Sequence, residues 1–159
     1  MKGKQTALMP GNDDRVGYWL TPPDLMAQLQ AEFDFDFDAC PYPRPAGFDG
    51  LKEPWGKRTW CNPPFFGSRK KGAGISGWAR KALSEGAKGK TVVVILPILG
   101  AAQVMLEGGA EFRYLGKLDW RDPIGSIAKH VAHPSALFIL RPHDPPETTP
   151  DPAAREEVK

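Results

Sequence analysis

Cysteine is scarce in this 159-residue chain. Cys40 and Cys61 are the only two, which excludes a disulfide framework and a four-cysteine zinc site. Long apolar runs are missing as well. No stretch reaches the roughly 18 apolar residues that a membrane-spanning helix needs. The N-terminus lacks the apolar core of a secretory leader, so a cytoplasmic location is expected. The three histidines, His130, His133 and His143, have no acid or cysteine partners at ligand spacing, and no metal site is predicted. What abounds is backbone punctuation. Glycine and proline number 17 each, well above the roughly 12% that average usage gives the two together. That excess argues against a helical bundle or coiled coil.

The net charge is only +2, but it is unevenly spread. Residues 31–53 are net acidic, whereas residues 67–90 carry seven bases against Glu85. Such a basic patch suits a polyanion. Residues 1–16 and 142–159 are polar or proline- and acid-rich, and both are expected to be disordered. One domain is expected over 17–141. Within it, Thr21-Pro22-Pro23-Asp24 opens a helix through Glu32, with Thr21 as N-cap. Phe33, Phe35 and Phe37 alternate with Asp34, Asp36 and Asp38, which predicts a strand with one apolar face. Further strands are predicted at 58–61, 91–96, 112–115 and 136–140, with helices at 75–85 and 101–106. The β-branched run from Thr91 to Leu96 reads as a central parallel strand. The alternation predicts a three-layer α/β fold around a mainly parallel sheet, with ligands beyond the carboxyl ends of its strands.

Two candidate segments fall at such ends: Ala39-Cys40, and Asn62-Pro63-Pro64-Phe65. Consecutive prolines lock φ, remove two N–H donors and keep Asn62 out of the α region. An exocyclic amino group has two N–H donors, which the Asn62 side-chain oxygen and the Pro63 carbonyl can accept. Phe65 offers a face on which a planar base can stack. The pattern suits a planar molecule with a reactive –NH2 group. Cys61 points the other way along the strand and reads as a core thiol. Gly67 to Gly74 follows directly, a flexible basic loop with Arg69, Lys70 and Lys71 as phosphate contacts. Leu118 to Pro123 reads as a substrate-side loop, with Arg121 as its nucleic-acid contact.

Asn-Pro-Pro-Phe resembles the catalytic motif of amino-group methyltransferases that use S-adenosyl-L-methionine. The wider pattern resembles the phage-type DNA N6-adenine methyltransferases. The matches are Trp19, Thr21 and Pro22; Phe35, Phe37, Asp38, Ala39 and Cys40; Asp49, Gly50 and Leu51; Trp55; Trp60 through Phe65; Trp78, Lys81 and Ala82; and Val92 to Pro97. They span residues 18–97, with weaker likeness to about 141. The resemblance implies a compact Rossmann-like methyltransferase fold. It also implies methyl transfer to a flipped adenine of double-stranded DNA, in a restriction-modification or related role, encoded by a phage or prophage in a bacterial host. By the same resemblance, Asp38, Ala39 and Cys40 form the floor under the cofactor's methionine moiety. Asp49 bonds its ribose or adenine edge. Trp19, Thr21 and Pro22 lie over its amino-acid end, with Thr21 bonding the carboxylate. Asn62 and the Pro63 carbonyl stabilise the charge on N6, and Phe65 or Phe66 stacks on the flipped base. The usual glycine-rich loop is absent, with Cys40-Pro41-Tyr42-Pro43 in its place. Other readings of the same residues are transfer to cytosine N4, to rRNA guanine N2 or to protein glutamine, and a non-catalytic nucleic-acid-binding derivative of the fold.

Overall fold

The computed structural model describes residues 19–65, 74–123 and 133–143. The expectations for residues 1–16 and 144–159, and for Phe66, Arg69, Lys70, Lys71 and His130, lie outside them. The elements run α1 (Pro23–Phe33), β1 (Phe37–Asp38), β2 (Arg58–Cys61), α2 (Ile75–Gly86), β3 (Thr91–Pro97), α3 (Gly100–Glu107), β4 (Glu111–Gly116) and β5 (Ser135–Leu140). No helix among the described residues is long and apolar enough to cross a membrane.

The sheet has the order β1-β2-β3-β5-β4. β1, β2 and β3 are mutually parallel, while β5 runs antiparallel to both β3 and β4. The sheet is therefore mixed, and the central strand β3 is parallel to only one neighbour. Four strands still run in one direction. Their carboxyl ends at Asp38, Cys61, Pro97 and Gly116 share one edge of the sheet.

β3 explains its own composition. Val92, Val94 and Leu96 pack with Trp78, Ala79 and Ala82 of α2 and with Ala101, Ala102 and Met105 of α3. Val93 and Ile95 face the other way, onto Leu29 and Phe33 of α1, with Trp60, Phe65 and Trp120. A strand covered on both faces has no polar positions to alternate. α1 thus covers one face, and α2 and α3 cover the other.

The phenylalanine alternation is resolved differently from a single strand. Phe33 closes α1, and Asp34 takes the left-handed conformation (φ 50°), its N–H bonding the Gln30 carbonyl. Aspartate tolerates this C-cap geometry better than a branched residue. Only Phe37 and Asp38 enter the sheet. Phe33 and Phe35 stack at 5.6 Å on the α1 face, whereas Phe37 packs with the α2–α3 cluster. Arg58 donates to the Asp34 carbonyl and pairs with the Asp34 and Asp36 carboxylates, so these acids serve the edge of the sheet. Helix α1 also starts one residue later than expected. Pro22 is its N-cap, and no side chain caps it.

One charge cluster lies inside. The Glu85 side chain is 0% exposed and accepts hydrogen bonds from Lys81 at 2.8 Å, Lys88 at 2.9 Å and Lys90 at 2.5 Å. Burial alone would push its carboxyl up, but the bonds from Lys81, Lys90 and Lys88 outweigh it and hold the pKa at about 2. A folded pKa below the unfolded value contributes stability above the unfolded pKa, and that stability is lost as pH falls from about 4.5 towards about 2. Glu85→Gln leaves the lysines without a carboxylate and is expected to cost about 3–5 kcal/mol at neutral pH. It should also flatten the wild-type loss of Tm between those pH values. A Tm profile as steep as wild type in thermal unfolding would refute this.

Candidate functional site

The site forms where β1 and β2 end side by side. The Ala39 amide donates to the Trp60 carbonyl at 2.9 Å, which carries the parallel register one residue beyond β1. Asp38 then turns the chain, its Oδ1 accepting from the Cys40 amide at 2.9 Å. β2 stops at Cys61, because Pro63 and Pro64 have no N–H to continue a ladder.

Asn62 takes up the connection with its side chain. Nδ2 donates to the Trp19 carbonyl at 2.6 Å and to Thr21 Oγ1 at 3.2 Å. A backbone carbonyl can only accept, so these contacts fix which way the amide faces. Oδ1 is left buried with no hydrogen-bond partner. Leu20, between the two contacts, forms a two-bond bridge to Arg121, at 2.7 and 3.2 Å. Thr21, expected as a helix cap, instead accepts from Asn62 and keeps its hydroxyl hydrogen free to donate, and Arg121 contributes its backbone.

Beside Asn62 lies an open cavity of about 180 Å³, walled by Trp19, Thr21, Met26, Asp38, Cys40 and Tyr42 among others. The Trp19 indole N–H is a second buried polar group there without a partner. Asp38 is exposed by surface area, yet the surrounding protein raises its carboxyl pKa by desolvation, partly offset by the Cys40 amide. A smaller cavity of about 30 Å³ lies on the far side of Cys40, against Ala39, Phe48, Asp49, Gly50 and Trp78. Asp49 Oδ1 accepts from the Leu51 amide at 3.1 Å, and its carboxylate pairs with exposed Lys52. Gly50 has no alternative: a Cβ there would collide with the Ala39 carbonyl oxygen.

The structure brings Trp19, Thr21, Asp38, Cys40 and Asn62 to one cavity. It puts Ala39, Cys40 and Asp49 around the other. Pro22 caps α1 beside the first, and Pro63 is buried. Phe65 does not stand open: it is 7% exposed and meets Trp120 edge-on at 5.2 Å. Cys61 is fully buried. Burial pushes the Cys40 thiol well up, helped by the neighbouring Cys61 thiol, so Cys40 is no activated nucleophile. Sequence reasoning missed Met26 and Tyr42 in the cavity wall. Tyr42 carries a signal, an aromatic set between two prolines at a predicted strand end. Met26 carries none, because an apolar residue on α1 reads equally as core.

No family model matches the chain, and neither a curated protein nor a solved structure matches it.

The raised Asp38 pKa makes a prediction with a definite sign. A carboxylate disfavoured by the fold lowers stability once it is ionised, and the loss disappears as pH falls through its raised pKa. Asp38→Asn keeps an oxygen for the Cys40 amide and removes the charge. Its Tm is expected to exceed wild type at pH 7, with the gap closing at acid pH. A lower Tm at pH 7 would mean that Asp38 is a structural ion.

Proposed function

We propose that the chain is an S-adenosyl-L-methionine-dependent DNA adenine-N6 methyltransferase of the phage type, acting in a bacterial cytoplasm on a flipped adenine. One observation carries this reading: the Asn62 amide is anchored through its nitrogen, which leaves its oxygen buried and unpartnered beside a cavity at the carboxyl end of β2. A buried acceptor without a partner costs free energy, and a ligand N–H would recover it. The sheet supports the compact Rossmann-like form of the fold, with four strands in one direction, helices on both faces and the cavities at the carboxyl edge.

The residues fit the cofactor's amino-acid end. The Asp38 carboxylate suits an ammonium group, while the Thr21 hydroxyl and the unpartnered Trp19 N–H suit a carboxylate. When bound, the cofactor supplies an electrophilic methyl on a sulfonium. The chain's own work is positional. Asn62 Oδ1 and the Pro63 carbonyl accept the two hydrogens of N6, turn its lone pair outward and stabilise the positive charge that develops on it. With the N6 lone pair so aimed by Asn62 and Pro63, the methyl that the cofactor would supply would pass directly from sulfur to nitrogen, and the surplus proton on nitrogen would leave to water. No covalent enzyme intermediate is required.

A second reading is favoured by the size of the cavity beside Asp49. About 30 Å³ is the room of two or so waters, far short of a nucleoside. A nucleic-acid-binding derivative that has lost the cofactor fits that dimension. Calorimetry with S-adenosyl-L-methionine separates the two readings, and absence of binding would sink the enzyme.

Tritiated methyl transfer to unmethylated DNA, with the product nucleoside identified, is expected to yield N6-methyladenine; any other product overturns the acceptor. Asn62→Ala should lower kcat by about 10²–10³. Because Asn62 also holds Trp19 and Thr21, a smaller loss of cofactor affinity should accompany it. Activity within a few fold of wild type would remove Asn62 from the mechanism. Charge reversal at Arg69, Lys70 and Lys71 is expected to flatten the salt dependence of DNA binding, and an unchanged slope would exclude them from the interface.

A further inference from the structure

The Asp49–Gly50 turn is tied to the buried ion cluster on α2 through one side chain. Trp55 is 3% exposed, and its indole N–H donates to the Gly50 carbonyl at 2.7 Å. Its own carbonyl accepts from Lys90 Nζ at 2.5 Å, and the same ammonium group donates to Glu85. The Trp55 ring stacks on Trp78 at 6.5 Å, and Lys81 lies over it at 5.9 Å. Trp78 in turn lines the cavity beside Asp49. At the far end of this chain, Gly50 is pressed on the Ala39 carbonyl so closely that no Cβ fits. A continuous path of polar bonds and ring contacts therefore runs from a charge-satisfied carboxylate on α2 to the loop at the end of β1.

We propose that Trp55 and Lys90 are positioning residues: they form a strut that holds the Asp49–Gly50 turn against Ala39 and so sets the wall of the cavity shared by Cys40, Asp49 and Trp78. The remaining turn bonds are local. The Leu51 amide bonds Asp49 Oδ1, and the Lys52 and Glu53 amides bond the Asp49 carbonyl. Such bonds shape the turn itself. Apolar contacts reach it from the sheet, Phe48 against Phe37 at 6.2 Å and Leu51 against the core, and the strut adds a directional polar tie, because Lys90 stands 35 positions from Trp55 and directly precedes β3.

The test uses Trp55→Phe, which keeps a ring and deletes the N–H, and Lys90→Met, which leaves Lys81 and Lys88 on Glu85. Hydrogen exchange is read at the amides of Leu51, Lys52 and Glu53, with the β3 amides as internal reference. Loss of one such bond is expected to speed exchange at 51–53 about tenfold and leave β3 protected. Unchanged protection at 51–53 in either folded variant overturns the strut. Exchange that rises equally in β3 also overturns it, because the effect is then global. A second arm rests on the methyltransferase reading: binding of S-adenosylhomocysteine, measured by calorimetry, should weaken about tenfold in both variants. Wild-type protein that binds none refutes that reading and leaves the exchange result to decide the strut. Wild-type affinity in variants with loosened turns refutes the strut's effect on the cavity.

Discussion

Two prolines directly after a strand impose the constraint on which the site depends. β2 cannot extend past Cys61 by backbone pairing, so the next residue must be held through its side chain. Asn62 does this by reaching Trp19 and Thr21, 43 and 41 positions away. Leu20 between them is clasped by Arg121, and Phe65 beyond the prolines locks onto Trp120. Three distant segments meet because one amide has two donors and the backbone beside it has none. The oxygen of that amide is what is left buried without a partner.

The two carboxylates treated most unlike each other mark the division between framework and site. Glu85 is fully enclosed but saturated by three ammonium groups, which makes it an anchor. Asp38 has water at hand and a single amide for company, and the fold disfavours its charge. A charge that a protein keeps against its own stability is a frequent sign of binding or catalysis. The same contrast holds for the cysteines. Cys40 borders both cavities while its thiol is suppressed, so it contributes shape rather than reactivity.

Much of the scaffold was legible from residue pattern. The β-branched run at 91–96 announced a central strand, and it is buried on both faces. Ile75, Trp78, Ala79 and Ala82 announced the face of α2. Strand direction was not legible, because apolar content is the same whether a neighbour runs parallel or antiparallel, and β5 broke the parallel expectation. Nor was the end of α1. The alternation from Phe33 to Asp38 fits a strand on paper, but Asp34 can turn left-handed, and that single dihedral sends Phe33 and Phe37 to opposite faces. At the site, the family resemblance grouped Trp19, Thr21 and Asp38, and they line one cavity with Asn62. The enclosure of Phe65 did not follow, because it depends on Trp120, 55 positions further on. The link from Trp55 to Gly50 was equally hidden, since hydrogen bonds of an indole leave no periodicity.

The brevity of β1 has a consequence for the company the molecule keeps. A sheet margin normally offers a row of idle amides and carbonyls on which another chain can crystallise as an added strand. Here that margin is two residues long, preceded by the Arg58 ion pairs with Asp34 and Asp36 and followed by the Asp38 turn. An intruding strand would find almost no ladder before meeting charge at one end and a bend at the other. Among the described residues, the side of the sheet nearest the cavities thus offers little to edge-to-edge pairing.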